Sequence, residues 1–120
     1  MAKRNITYEI SSFIGGKTIT TEKKTVPAIF EDNCIKYIVD GTKNIYNVET
    51  NTFTRENRSL KIVSKFIKGE ITEILTTAKE INKTVSINIK TNELIQEKNN
   101  IRIEYTIDEI VYKYSLEVEE

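Results

Sequence analysis

The residues of this sequence with the clearest potential for chemistry are one arginine and several tyrosines. Arg55 stands two positions after Phe53 on a short predicted strand, so both side chains point to the same face. If Phe53 faces the interior, the guanidinium does too, and its planar set of donors then requires an acid or a ligand anion. The tyrosines available as hydroxyl partners on other predicted strands are Tyr37, Tyr105, Tyr112 and Tyr114. This set predicts a ligand-binding anchor. The alternative is that Arg55 pairs with a surface glutamate and caps one end of the fold.

Composition excludes most other catalytic and metal-binding chemistry. The 120 residues include no His and one Cys. Without His there is no Ser-His-Asp or Cys-His catalysis and no His-ligated metal. A single Cys forms neither an internal disulfide nor a thiolate zinc cluster. Cys34 has Lys36 two residues away on its face, which allows an activated thiol, although a small packed side chain is the usual outcome.

Carboxylates are plentiful, but their positions favour solvated roles. Asp40 and Asp108 lie at predicted turns, and Glu104 and Glu117 lie on polar strand faces. A paired-carboxylate hydrolase is therefore the weaker interpretation. We predict no catalytic residues, no metal and no cofactor, and a protein that is not an enzyme.

Charge and hydropathy indicate which partners to expect. Lys plus Arg number 18 and Asp plus Glu number 18, so the formal net charge is +0 and no basic stripe is present for nucleic acid. The first five residues carry two basic side chains without an apolar segment behind them, so no signal peptide is expected. No apolar run approaches the roughly 18 residues of a membrane-spanning helix. These features predict a cytoplasmic protein with no nucleic-acid or membrane partner.

Composition and periodicity both predict an all-β protein. Ile dominates the apolar residues and Thr is abundant, and both are β-branched and favour strands. Apolar and polar residues alternate nearly from end to end, which is typical of strands with one buried face. The alternating positions include Ile6, Tyr8, Ile10, Ile14, Ile35, Tyr37, Val39, Val85, Ile87, Ile89, Ile101, Ile103, Tyr105, Ile107, Ile110, Tyr112, Tyr114, Leu116 and Val118.

Turn signals divide these strands at intervals of about ten residues. Pro27 predicts a bulge, a corner or an edge position, and Thr91-Asn92 predicts the end of a strand before a separate short one at Leu94-Ile95. The segment 70–81 has helical spacing, but Thr76-Thr77 favours a strand there. The strongest turn signals are Gly15-Gly16, Asp40-Gly41, Lys68-Gly69 and Asp108-Glu109.

About eight to ten short strands joined by hairpins fit a sandwich or a barrel. We predict a single domain over residues 1–120, folded as a mainly up-and-down antiparallel β-barrel, because closure removes exposed sheet edges. The inward-facing positions are mostly Ile with Tyr and Phe. These volumes favour a filled core with a shallow pocket at one end.

Several motifs follow one another in a recognisable order: Ile29–Asn33, Tyr37–Val39, Phe53-Thr54-Arg55, Phe66–Glu70, Ile87–Thr91 and Ile101–Tyr105. This order resembles the YwiB-like family of small bacterial proteins of unknown function. The resemblance covers nearly the whole chain and implies a lipocalin-like, calycin-type barrel with a candidate pocket, but no reaction.

Two functional hypotheses follow from the sequence. The first is a non-enzymatic binder of a small apolar or acidic ligand at one barrel mouth, with Arg55 and the tyrosines as the polar anchor. The second is a structural or protein-interaction module with a filled core and no ligand. A convergent Arg-Tyr pocket supports the first, whereas a solid core with an apolar outer patch supports the second.

Overall fold

The computed structural model describes residues 2–119, and the regular elements among them are ten β-strands. No helix in this part of the chain is long and apolar enough to cross a membrane. The strands are β1 (Ala2–Ile14), β2 (Lys17–Glu31), β3 (Cys34–Val39), β4 (Thr42–Asn47), β5 (Thr52–Glu56), β6 (Leu60–Lys65), β7 (Ile71–Ala78), β8 (Lys83–Glu97), β9 (Asn100–Ile107) and β10 (Ile110–Val118).

The ten strands form a closed, antiparallel, up-and-down barrel. Each strand pairs with its neighbours in the chain, and β10 pairs with β1 to complete the ring, from Ile6 opposite Val118 to Ile14 opposite Ile110. The predicted all-β barrel is confirmed. The segment 70–81, whose spacing also suited a helix, contains the whole of strand β7.

The alternating strand directions place the turns at two ends of the barrel. The upper end carries the turns at 15–16, 40–41, 57–59, 79–82 and 108–109, and the lower end carries the other connections. At the upper end, Asp40 and Gly41 have φ of 49° and 77°. This left-handed pair suits a two-residue hairpin loop, because its twist matches that of the flanking strands.

Two predicted strand breaks lie inside continuous strands. β2 runs through Pro27 and stays paired with β1 along its length. β8 runs through Asn92, where a register shift between Thr91 and Glu93 accommodates the extra residue as a bulge. The separate short strand predicted at Leu94-Ile95 was therefore wrong, because a bulge bends a strand without ending it.

Pro27 affects the edge of β2 that faces β3, opposite the edge that pairs with β1. Pairing between β2 and β3 covers only three residue pairs and stops at Ile29 opposite Lys36. Pro27 has no N–H to donate to a ladder, so it does not extend this pairing. The two strands therefore diverge above Ile29, and we call this opening the β2–β3 seam. The predicted edge character of Pro27 is confirmed.

Aromatic side chains fill much of the barrel interior. Tyr114 stacks on Phe53 with ring centroids 4.8 Å apart and lies 6.4 Å from Tyr46. Tyr8 and Tyr37 stack at 5.5 Å. A ten-stranded barrel is wider than the eight-stranded barrel that aliphatic side chains fill, and these large rings occupy the additional width.

Candidate functional site

Arg55 projects into the upper part of the barrel interior. It lies on β5 between Asn44 of β4 and Ile62 of β6. Phe53 shares its face and is 6% exposed. The guanidinium carbon lies 5.9 Å from the centre of the Phe53 ring. The inward direction follows from the two-residue period of the strand, as the sequence predicted.

The Arg55 guanidinium lacks a protein anion. Within residues 2–119 it forms no ion pair, and its Nε is buried without a hydrogen-bond partner. The structure therefore does not have the alternative arrangement, in which Arg55 pairs with a surface glutamate. A buried donor of a charged group without a partner costs about 1–3 kcal/mol or more, so a bound anion there is favourable.

A small pocket opens beside Arg55 at the upper end of the barrel, and we call it the upper pocket. Its volume is about 140 Å³. The Tyr8 hydroxyl in its wall is also buried without a hydrogen-bond partner. The lining residues come from β1 to β5 and the β3–β4 turn: Tyr8, Ile10, Glu22, Tyr37, Val39, Asp40, Thr42, Asn44 and Arg55. Two unpaired buried polar groups thus line the same pocket.

The rim of the upper pocket is acidic but partly neutralised. Lys24 Nζ lies 3.2 Å from Asp40 Oδ2 and 3.8 Å from Glu22 Oε1, so it joins β2 to the β3–β4 turn across the β2–β3 seam. Burial, the negative charge of the nearby Glu22 carboxylate and an interaction of that carboxylate with the hydroxyl raise the pKa of Tyr8. The Tyr8 hydroxyl consequently stays protonated at neutral pH and remains a hydrogen-bond donor.

The structure brings only one of the four predicted tyrosines into the upper pocket. Tyr37 lines it, and its hydroxyl lies 2.7 Å from that of Tyr114, which sits behind it in the core. Tyr105 and Tyr112 stack on each other at 5.2 Å and line another part of the interior. Arg55 is nonetheless close enough to Tyr37, Tyr105 and Tyr114 to favour their ionised forms.

Sequence reasoning missed Tyr8, Asn44 and the two rim carboxylates. Tyr8 had a usable signal, since it alternates with Ile6 and Ile10 on the predicted inner face of β1. Asn44 is 5% exposed and pairs in register with Arg55. Its inward direction could have been read from its separation of two residues from Tyr46.

Burial raises the pKa of the interior tyrosines despite the nearby guanidinium. It raises that of Tyr37 and Tyr114 well above 10, and burial together with Tyr112 raises that of Tyr105 to about 12. The unfolded chain, with tyrosine pKa values near 10, releases these protons first. The native state then binds more protons, so stability is complete below about pH 10 and is lost as the pH rises above that value.

We therefore expect the free energy of unfolding to be level from pH 7 to 9 and to fall steeply above about pH 10. Urea denaturation across this range measures it. Tyr105→Phe should make the slope shallower by up to one proton. A stability that is unchanged to pH 11.5 would contradict the buried, protonated state of these hydroxyls.

The other candidate reactive groups lie apart from the upper pocket. Cys34 is a half-buried free thiol at the start of β3, and Lys36 pairs with Glu31 at 3.6 Å. The wall of the upper pocket does not include Asp108, Glu104 or Glu117. Residues 2–119 contain no group of three or more Cys, Asp or Glu side chains arranged to hold a metal ion.

The fold and the site define a class of protein: a ten-stranded up-and-down barrel with a filled aromatic interior and one small polar pocket at its upper end. The crystal structure of the YwiB protein from Bacillus subtilis has the same fold. The match has a TM-score of 0.54 at 14% sequence identity and covers 98% of this chain and 94% of that chain. The YwiB-like fold suggested by the sequence motifs is thereby confirmed. No family model and no curated protein matches the sequence.

Proposed function

We propose that this protein binds a small carboxylic acid, as its carboxylate, in the upper pocket. The observation that carries the proposal is the pairing of two buried, unpartnered groups in one pocket wall, Arg55 Nε and the Tyr8 hydroxyl. Buried polar groups are nearly always hydrogen-bonded, so two such exceptions on residues that line one pocket indicate a missing acceptor. A carboxylate accepts from both donors and neutralises the guanidinium.

The size of the upper pocket limits the ligand. Pockets for drug-sized molecules typically measure about 300–1,000 Å³, and this one measures about 140 Å³. A lipid chain does not fit, whereas an acid of a few carbon atoms does. Ile10 and Val39 supply apolar surface for a short alkyl group. Of the small apolar or acidic ligand that the sequence predicted, the acidic one is better supported, because the Arg55 guanidinium has an unpartnered donor.

Each polar residue of the pocket has a distinct role in this proposal. Arg55 supplies the charge that selects an anion, and the protonated Tyr8 hydroxyl donates the second hydrogen bond. Asn44 stands beside Arg55 and holds its own amide through a hydrogen bond to the Thr42 carbonyl at 3.1 Å. Glu22 and Asp40 at the rim disfavour dianions by repulsion. The proposed protein is a non-catalytic, cytoplasmic binder, and no covalent bond of the ligand is made or broken.

Calorimetric titration with a series of monocarboxylates from formate to hexanoate tests the proposal. We expect saturable one-to-one binding that is strongest for the members that fill about 140 Å³ and weaker for hexanoate. The matched primary alcohols, which lack the charge, should not bind.

Tyr8→Phe tests the second hydrogen-bond donor, since it removes the hydroxyl and retains the ring. It should weaken carboxylate binding about tenfold, the worth of one hydrogen bond to a charged group. Tyr112→Phe, outside the pocket wall, should bind as the wild type does. Equal affinity in wild type and Tyr8→Phe, or equal binding of acids and alcohols, would overturn the proposal.

A further inference from the structure

The outer surface of the barrel carries a second, differently built hollow at the β2–β3 seam. It has a volume of about 470 Å³ and lies on strands β1 to β4. Its floor is formed by the side chains of Pro27, Ile29, Ile38 and Ile45. Ile38 is 63% exposed, so most of its apolar side chain is open to the groove and the solvent. We call this hollow the outer groove.

The outer groove has its shape because the pairing between β2 and β3 covers only the lower part of these strands. The last paired residues are Ile29 and Lys36. Beyond them β2 turns away through Pro27, and the sheet surface is left concave. The apolar floor therefore follows from the fold.

Three lysines surround this floor in register. Lys3 pairs with Ile29, Ile29 with Lys36, and Lys36 with Ile45 along one row across the sheet. Lys43 pairs with Ile38 in the next row. Lysine and isoleucine thus alternate across strands that lie about 4.8 Å apart.

The charged residues that line the outer groove are of one sign. Its lining contains no carboxylate. Lys36 has Glu31 at 3.6 Å, and Lys43 faces Glu56, which is itself held by Lys79 at 2.7 Å. Lys3 and Lys43 form no ion pair within residues 2–119. In a chain of zero net charge, this is a local cationic rim.

We infer that the outer groove binds a small anionic amphiphile, with the apolar body on the isoleucines and the anionic head against the lysines. Apolar walls with a few polar groups are the usual construction of small-molecule sites, and about 470 Å³ falls in their size range. A stable protein interface needs about 800 Å² from each partner, which is more than four apolar side chains offer. This site is distinct from the one in the proposed function, because Arg55 and Tyr8 do not line it, although Tyr37 and Asn44 lie in the walls of both.

Fluorescence titration with 8-anilinonaphthalene-1-sulfonate tests the inference, with the uncharged N-phenyl-1-naphthylamine as the charge control. We expect one sulfonate probe per chain. Ile38→Ser should weaken its binding about fivefold or more, from the lost apolar contact. Lys43→Glu should weaken binding of the sulfonate but not of the neutral probe.

Three control variants distinguish binding in the outer groove from binding elsewhere on the protein. Ile71→Ser removes an isoleucine of β7 that is 70% exposed and lies outside the groove, and Lys61→Glu reverses a charge on β6. Both should leave probe binding unchanged, as should Arg55→Met. Equal losses in Ile38→Ser and Ile71→Ser would overturn the inference, since they would indicate adhesion to any exposed apolar residue.

Two further outcomes would also overturn it. Loss of the sulfonate probe in Arg55→Met would place the bound probe in the barrel interior. A wild-type dimer in sedimentation that Ile38→Ser converts to a monomer would make the groove an interface between two copies of this chain.

Discussion

Replacing Arg55 with methionine is expected to weaken carboxylate binding strongly while leaving the folded protein at least as stable as the wild type. Methionine retains an unbranched apolar stem but removes the buried, unpartnered Nε–H. Arg55 is half-buried, and replacing a charged group that has no partner anion by an apolar side chain of similar size is often neutral or stabilising. We expect a gain of about 1 kcal/mol in the free energy of unfolding.

The affinity for the carboxylate should fall, and the change in binding free energy should exceed the gain in the free energy of unfolding. Hydrogen bonds to charged groups contribute about 1.5–3 kcal/mol, so the loss of Arg55 should weaken binding by about tenfold to a hundredfold. Calorimetry and thermal denaturation of the same sample measure both effects. Opposite changes in binding and stability are typical of residues retained for function.

The matched control for Arg55→Met is Arg58→Met. Arg58 lies three residues further along in the exposed β5–β6 turn, and its replacement should alter neither affinity nor stability appreciably. A loss of about 3 kcal/mol or more in Arg55→Met would instead show that the guanidinium is a satisfied structural charge. The account of the upper pocket would then fail.

Tyr114→Ala is expected to cause the largest loss of stability. Tyr114 is 4% exposed, stacks on Phe53 and shares a hydrogen bond with Tyr37. Truncation of a buried aromatic ring typically costs about 3–5 kcal/mol, because the cavity it leaves closes only in part. It also leaves the Tyr37 hydroxyl without its partner. Urea denaturation of purified variants measures the effect.

The conservative variants separate the ring of Tyr114 from its hydroxyl. Tyr114→Phe keeps the stacking and loses the 2.7 Å hydrogen bond, so we expect a cost of about 1–2 kcal/mol. Tyr112→Phe is the control, since Tyr112 is only half-buried and stacks on Tyr105. It should cost less than about 0.5 kcal/mol. Similar costs for both phenylalanine variants would contradict the special position of Tyr114.

The sequence predicted those features of this fold that depend on local periodicity. Alternation placed Arg55 on the face of Phe53, and the chemistry of proline predicted the edge at Pro27. The first result requires only that successive side chains of a strand point to opposite faces, and the second that proline has no N–H to donate. The bulge at Asn92 was missed because a bulge and a strand end share the same local signal, a polar break in the alternation.

Which side chains meet across the barrel could not be read from the sequence. The neighbours of Arg55 depend on strand register and on the closure of β1 against β10, which are long-range properties. Tyr8 and Tyr37 are 29 positions apart, as the chain numbering shows, yet their rings stack at 5.5 Å. Tyr112 satisfied the same alternation as Tyr37 and lies outside the upper pocket wall. Periodicity gives the inward face but not the neighbour.

The most direct test of the central claim is the ¹H–¹⁵N signal of the Arg55 Nε–H, assigned by its loss in Arg55→Met. This group is buried and has no partner in the protein. On titration with a short monocarboxylate, we expect the proton signal to move downfield saturably and to become protected from solvent exchange, while the Arg58 signal stays in place. An Arg55 signal that neither moves nor gains protection with any acid that fits the upper pocket would contradict the account.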